Sequence, residues 1–287
     1  MIAPLGVVGG SGLYAMAGLE KTEEIRQTTP FGEPSDAYVR GVVGGRPIVF
    51  LARHGRGHRL MPTEINFRAN IAGFKMLGVE RLVSVSAVGS MKEHLHPLDV
   101  VLPDQFIDQT RRRVGTFFGD GVVAHVSFAD PVCADLRGVL ARSAAAVPGL
   151  RSHDGGTYVC IEGPQFSTRA ESNLFRSWGV DVIGMTNAQE AKLAREAEIC
   201  YATLAMVTDY DCWKMDEPPV NVEEVVARLH DNAKNAEAIL ARALPLLPAT
   251  RSCPCGAALQ QAILTDRARI PAEALRRLRP VAGARLE

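Results

Sequence analysis

Met206-Val207-Thr208-Asp209-Tyr210-Asp211-Cys212-Trp213-Lys214 closes an apolar run that begins at Tyr201, and it delivers two carboxylates one residue apart. A short apolar run of this kind reads as a buried strand. In an open α/β sheet, ligands bind beyond the carboxyl ends of the strands. Asp209 and Asp211 are therefore candidates for chemistry, against the plainer alternative of two solvated loop aspartates.

Other apolar runs, moving outward, finish in the same manner. Arg81 to Val88 alternates as a buried strand and ends in Ser86-Ala87-Val88-Gly89-Ser90, small residues that leave room for a ligand. Val180 to Gly184 is a strand ending in Met185-Thr186-Asn187; Asn187 and Glu190 have capping-box spacing, and a helix N-terminus there would favour an anion. Thr157 to Ile161 leads into Glu162-Gly163-Pro164-Gln165-Phe166-Ser167, after which Thr168 and Glu171 repeat the capping spacing and predict a helix to Trp178. Phe166 offers an aromatic face for a planar ligand and Ser167 a hydroxyl for its edge, with a staple in the core as the competing role for Phe166.

Ile48 to Leu51 is a strand core that runs into Arg53-His54-Gly55. Arg53 carries a permanent charge on a planar fork of donors, which suits phosphate, and His54 adds a further donor. Leu5 to Val8 precedes Gly9-Gly10-Ser11-Gly12-Leu13, whose glycines let backbone N–H groups close on an anion. Residues 10 to 15 also fit the dinucleotide pattern G-x-G-x-x-A. That reading needs a helix and a second strand ending in an acid, whereas residues 28 to 36 are turn sequence.

Periodicity predicts helices over Thr63 to Leu77, capped by Thr63 and stopped by Gly78, and over Pro131 to Val147. A long helix follows Asn221, with Val222, Val225 and Leu229 among its apolar positions. The pattern breaks up after Pro248. Residues 249–287 read as a C-terminal extension, weakly helical over Ala258 to Thr265, with a basic Arg276-Arg277-Leu278-Arg279 that suits a subunit contact or a mobile end.

With 287 residues, 47% hydrophobic and 22% charged, and no linker-like segment, the chain is long enough to bury one large core. Its 32 acidic and 32 basic side chains cancel, which leaves no electrostatic footprint for nucleic acid. The run Arg111-Arg112-Arg113 reads as a solvated loop. No apolar stretch reaches the roughly 18 residues a membrane span needs, and the N-terminus lacks the charged start of a signal peptide. The expectation is a cytoplasmic protein with no membrane partner. Cys133, Cys160, Cys200 and Cys212 lie in apolar or strand-like sequence, where a reduced buried thiol is the default. Cys253-Pro254-Cys255 could bind metal or oxidise, but no second pair stands at zinc-finger spacing, and no histidines stand at metal-ligand spacing. No metal site is expected.

The motifs at 9–13, 53–55, 86–90, 162–166, 184–186 and 208–214, taken in order, resemble those of the 5'-methylthioadenosine phosphorylases within the trimeric purine nucleoside phosphorylase family. The resemblance spans residues 2 to about 248. It implies a single α/β domain over 1–248, with a central mixed β-sheet surrounded by helices, assembling as a homotrimer or a hexamer of paired trimers. It further implies phosphorolysis of a nucleoside without metal or organic cofactor, inorganic phosphate being the co-substrate. By resemblance, Ser11, Arg53, His54, Ser86, Ala87 and Thr186 match phosphate positions, Met185 lies under the ribose, and Phe166, Ser167, Thr208, Asp209 and Asp211 surround the purine. Asp209 matches the general acid, and relatives that take 6-oxopurines characteristically carry Asn there, so adenine is favoured over inosine or guanosine. Val222 and Val225 match the pocket for the 5' substituent, and His125 matches a residue contributed by a neighbouring subunit. A broader or 6-oxopurine phosphorylase, and a catalytically silent nucleoside-binding protein, are the competing functions.

Overall fold

The alternation in the apolar runs decides which face of the sheet each side chain serves. The structure, a computed structural model, describes residues 2–10, 18–216 and 222–286, apart from the side chains of residues 222, 224 and 225. Its strands are β1 Leu5–Gly9, β2 Glu20–Ile25, β3 Tyr38–Val43, β4 Arg46–Ala52, β5 Arg81–Ser90, β6 Val100–Leu102, β7 Gln105–Asp108, β8 Ser152–Asp154, β9 Thr157–Cys160, β10 Val182–Gly184 and β11 Cys200–Asp209. The helices are α1 Phe67–Met76, α2 Ala134–Ala145, α3 Arg169–Ser177, α4 Asn187–Glu196, α5 Val222–Leu246 and α6 Ala272–Leu286.

In β11, Cys200, Ala202, Leu204 and Met206 join one core with Leu5, Val7, Val83 and Val85, covered by α2 and α5. Tyr201 turns the other way, into a second core with Val8, Val49, Leu51 and Leu82, covered by α1, α4 and α6. Period-2 alternation thus feeds two opposed layers from one sheet, the arrangement that buries both of its faces.

The sheet is mixed. β4, β1, β5 and β11 run parallel, β3 is antiparallel to β4, and β10 is antiparallel to β5. β5 carries β11 along one edge, from Arg81 to Gly89. Its other edge is shared: β1 occupies Arg81 to Val85, and β10 occupies Gly89 and Ser90. Residues 86–88 therefore pass between the end of one neighbour and the start of the next. A further irregularity lies opposite, where the register shifts between Val207 and Asp209, so that Asp209 pairs with Gly89. Thr208 is the extra residue of a bulge, a device that bends a strand end and re-aims the side chain after it.

Local chemistry accounts for most element ends. Thr168 and Glu171 form the expected capping box at the start of α3. α1 starts later than expected: its cap is Asn66, not Thr63, because the Asn66 side chain accepts from the Ala69 amide at 3.1 Å while donating to Phe31 O at 2.8 Å. Gly78 stops it with a φ of 79°. The Asn187/Glu190 box does not form. Thr186 takes the N-cap position without a side-chain bond to a helix amide, its hydroxyl donating to Asn187 Oδ1 instead, and Glu190 is held by a distant arginine. The tail also differs from expectation. Residues 258–262 are turns, and the helix is α6, whose Ala274, Leu278, Val281, Ala282 and Leu286 are buried in the second core.

Candidate active site

A cavity of about 360 Å³ opens where residues 86–88 pass between β1 and β10. The ends of four strands meet there: Gly10 after β1, Arg53 and His54 after β4, Gly184 to Thr186 after β10, and Thr208, Asp209 and Asp211 at the end of β11. Ser86 and Ala87 line it from β5, and Phe166 and Ser167 from the loop before α3. Eleven of the sequence-derived positions thus share one cavity. Ser11 and the side chains of Val222 and Val225 lie outside the described residues. Leu229 and Ala233, further along α5, face the cavity. His125 is exposed, and it does not line the cavity of its own chain.

Arg53 is buried, 1% exposed, and most of its fork is already engaged. Nε donates to Glu190 Oε1 at 2.5 Å, and Nη2 bonds Ser84 Oγ at 2.5 Å and Glu190 Oε2 at 3.2 Å. Nη1 gives one hydrogen to the Val85 carbonyl at 3.1 Å and lies beside Gly10, where a Cβ would stand 3.9 Å from it. Only this corner of the guanidinium is available to a ligand. Glu190 was not legible as a site residue because its role is set by an arginine 137 positions away. The same buried network includes Tyr201 Oη, bonded to Glu190 Oε2 at 3.0 Å, and Asn187 Nδ2, bonded to Ser84, Tyr201 and Thr203.

His54 Nδ1 lies 2.8 Å from the Leu60 carbonyl. A carbonyl only accepts, so Nδ1 carries the hydrogen and Nε2 is an acceptor in the neutral ring. Burial and then the Arg53 charge push the His54 pKa down to about 3. The ring stacks on His58, with centroids 4.2 Å apart. Since the free ring is neutral, its Nε2 is suited to an anion that still carries a proton.

Opposite this basic end, Thr208 Oγ1 is 2.6 Å from Asp209 Oδ2 and 3.1 Å from the Val88 carbonyl. A hydroxyl has one hydrogen. When Asp209 is protonated it donates to Thr208, and Thr208 is free to donate to Val88; when ionised, it must compete for that hydrogen. Burial pushes the Asp209 pKa up to about 6 against the bonds from Thr208 and the Asp211 amide, with the Asp211 charge a smaller contribution. The Asp211 amide donates to Asp209 Oδ1 at 2.8 Å, and burial also raises the Asp211 pKa. The cavity therefore holds an acid tuned toward neutrality at one end and fixed positive charge at the other.

Several bracing residues escaped the sequence reading. Arg113 is not part of a solvated run: its side chain is 1% exposed, pairs with Glu162 at 3.1 Å and donates to the Met185, Glu162 and Ile161 carbonyls. It ties the loop before α3 to the loop before α4. Arg228 and Asn232, one turn apart on α5, donate to the Thr208 and Val207 carbonyls, clamping the bulge that presents Asp209. Phe166, 43% exposed, faces the cavity and not the core.

The chain matches the Phosphorylase superfamily over residues 4–245. It is 59% identical over 283 residues to S-methyl-5'-thioadenosine phosphorylase of Koribacter versatilis, covering 99% of this chain and 97% of that one. It is 57% identical to S-methyl-5'-thioadenosine phosphorylase of Geobacter sulfurreducens, covering 98% of each. Among solved structures, a methylthioadenosine phosphorylase from an antarctic soil metagenomic library superposes with a TM-score of 0.92 at 49% identity, covering 98% of this chain and 99% of that one. The methylthioadenosine phosphorylase of Schistosoma mansoni in complex with adenine gives 0.85 at 35% identity, over 91% of this chain and 99% of that one.

Proposed function

Because the chain belongs to the phosphorylase superfamily and is so similar to S-methyl-5'-thioadenosine phosphorylases, we propose that its cavity carries out the reversible phosphorolysis of S-methyl-5'-thioadenosine to adenine and 5-methylthioribose 1-phosphate. The observation that carries the mechanism is a buried carboxyl, Asp209, in the same cavity as Arg53, where burial raises its pKa. A phosphate oxygen forms a bond to C1' as the bond from C1' to N9 breaks, and the electron pair leaves with the purine. Asp209 gives its proton to purine N7 and is left as a carboxylate.

Phosphate sits against the N-terminus of α4, where unsatisfied amides and the helix dipole favour an anion. Arg53 Nη1, the Ser86 and Thr186 hydroxyls and the Ala87 backbone complete its cradle, and by the resemblance Ser11 is assigned to the same anion. His54 Nε2 accepts the proton that a phosphate monoanion or hydrogen phosphate carries, which orients one oxygen toward C1'. These donors act where charge develops. Met185 lies under the ribose, and Phe166, Ser167, Thr208 and Asp211 hold the adenine. A carboxylate accepts from a 6-amino group and meets a 6-oxo group as an unpaired acceptor, which favours adenine nucleosides over inosine.

By the resemblance, Val222 and Val225 are assigned to the 5' methylthio group, whose contact is worth on the order of 1–3 kcal/mol over a hydroxyl. A neighbouring copy's His125 closes that end, so the working unit is a trimer. No metal or organic cofactor takes part in this scheme. The chemistry belongs to residues 1–248, with the 249–287 extension covering the sheet. The test is adenine release from S-methyl-5'-thioadenosine with and without phosphate. Release that depends on phosphate, with inosine turned over far more slowly, is the expected result, and release indifferent to phosphate would mark a hydrolase.

A further inference from the structure

The tightest set of metal-ligating side chains among the described residues lies at the far end of β11 from the cavity. The sulfurs of Cys133, Cys200, Cys253 and Cys255 all lie within 4.8 Å of one another. None is in a disulfide, and the Cys200 and Cys253 sulfurs are 3.2 Å apart. They arrive from separate parts of the chain. Cys133 is the N-cap of α2, Cys200 is the first residue of β11, and Cys253 and Cys255 flank Pro254 at the start of a short 3-10 turn.

Four thiols gathered in this way gain little from one another, since S–H is a weak donor. A zinc ion with bonds of about 2.3 Å to four thiolates in a tetrahedron sets its sulfurs about 3.8 Å apart, inside the spread found here. Cys133 sits at the positive end of a helix, which favours a thiolate there. Arg251 Nη1 is 3.9 Å from the Cys200 sulfur, a cation beside what becomes a dianionic centre. A cavity of about 500 Å³, lined by Cys133, Cys200, Cys253, Arg142 and Arg251, gives an ion a way in.

We propose that Cys133, Cys200, Cys253 and Cys255 bind one zinc ion in a closed, structural site. Each remaining thiol proton passes to solvent as its S–Zn bond forms, and no electron is transferred. All four positions are filled by protein, so no site is left for substrate. Cys200 and Asp209 are at opposite ends of the ten-residue β11, about 30 Å apart at strand rise, so the ion takes no part in phosphorolysis. Its work is to tie the start of the C-terminal extension to α2 and to the first residue of β11.

The test uses the full chain purified with a reductant and no chelator. Metal analysis is expected to find one zinc per chain, released when a mercurial blocks the thiols. Replacement by cobalt is expected to give a thiolate charge-transfer band with the d–d pattern of a tetrahedral site. Cys255→Ser should lose zinc retention by more than roughly tenfold, a loss that removal of even an outer-sphere partner can bring. Its phosphorolysis should stay within about twofold while its melting temperature falls by several degrees. If that variant does not fold, the cobalt spectrum of the unaltered chain decides. Four alkylatable thiols in a chain that takes up neither zinc nor cobalt, or two disulfides found by mass in the freshly isolated protein, would overturn the proposal.

Discussion

At the scale of single residues, the proposed acid Asp209 ties stability to catalysis, both of which should fall as pH rises through its titration. Its carboxyl titrates near 3.8 when unperturbed and at about 6 in the folded chain. Between those values the folded chain keeps a proton that the unfolded chain gives up. Stability therefore falls as pH rises through that window and levels off above it, by about 3 kcal/mol in all. Asp209→Asn removes the effect while keeping the acceptor for the Asp211 amide. Denaturation should find the variant more stable than the parent at pH 8 and nearly equal to it at pH 4, while kcat falls by roughly 10²–10⁴. In the parent, kcat/KM should decline as pH rises past about 6, where the free acid loses its proton. A variant that keeps its turnover would end the assignment of Asp209 as the acid. Glu190→Gln makes a second residue-scale prediction. It leaves the Arg53 charge buried without a counter-charge, and urea titration should show a loss of about 3–5 kcal/mol.

At the scale of elements, the site depends on how β11 ends. A Cβ on Gly89 would stand 2.9 Å from Asp209 Oδ1 and 3.0 Å from Ile183 Cγ2. Gly89→Ala must therefore shift the bulge or β10, and about 1–3 kcal/mol of stability should go with it, along with a drop in kcat larger than any change in KM for phosphate. Thr168→Ala is expected to cost about 1 kcal/mol through the lost cap of α3, with the cavity intact; thermal melts at matched pH measure both variants. The contrast between the two capping patterns shows what a linear reading can reach. Thr168 and Glu171 need only each other, so spacing predicts them. Asn187 and Glu190 have the same spacing, yet Arg53, Ser84 and Tyr201 claim their side chains from other strands. Strand cores such as Ile48 to Leu51 were legible because burial on both faces leaves an unbroken apolar run. Arg113 was not, since three arginines in a row look alike until two loops close around one of them.

At the scale of the whole molecule, α6 seals the second core. Its basic run and the internal Pro280 and Gly283 obscure the apolar face in the sequence, but Leu278, Val281 and Leu286 are buried against α1 and its neighbours. Truncation before residue 272 should remove on the order of 5 kcal/mol of burial and leave a chain that unfolds at lower temperature or precipitates, as soluble yield and calorimetry would show. The cavity itself follows from the path of β5. Between β1 and β10, residues 86–88 run along one side without a strand beside them among the described residues. In the proposed reaction the oxyanion and sugar would fill that interval, so substrate would act as a removable length of sheet. Amide hydrogen exchange at those of the three positions whose N–H points away from β11 should slow on adding phosphate and slow further with nucleoside, as though a missing strand had been lent to the fold for the duration of each turnover.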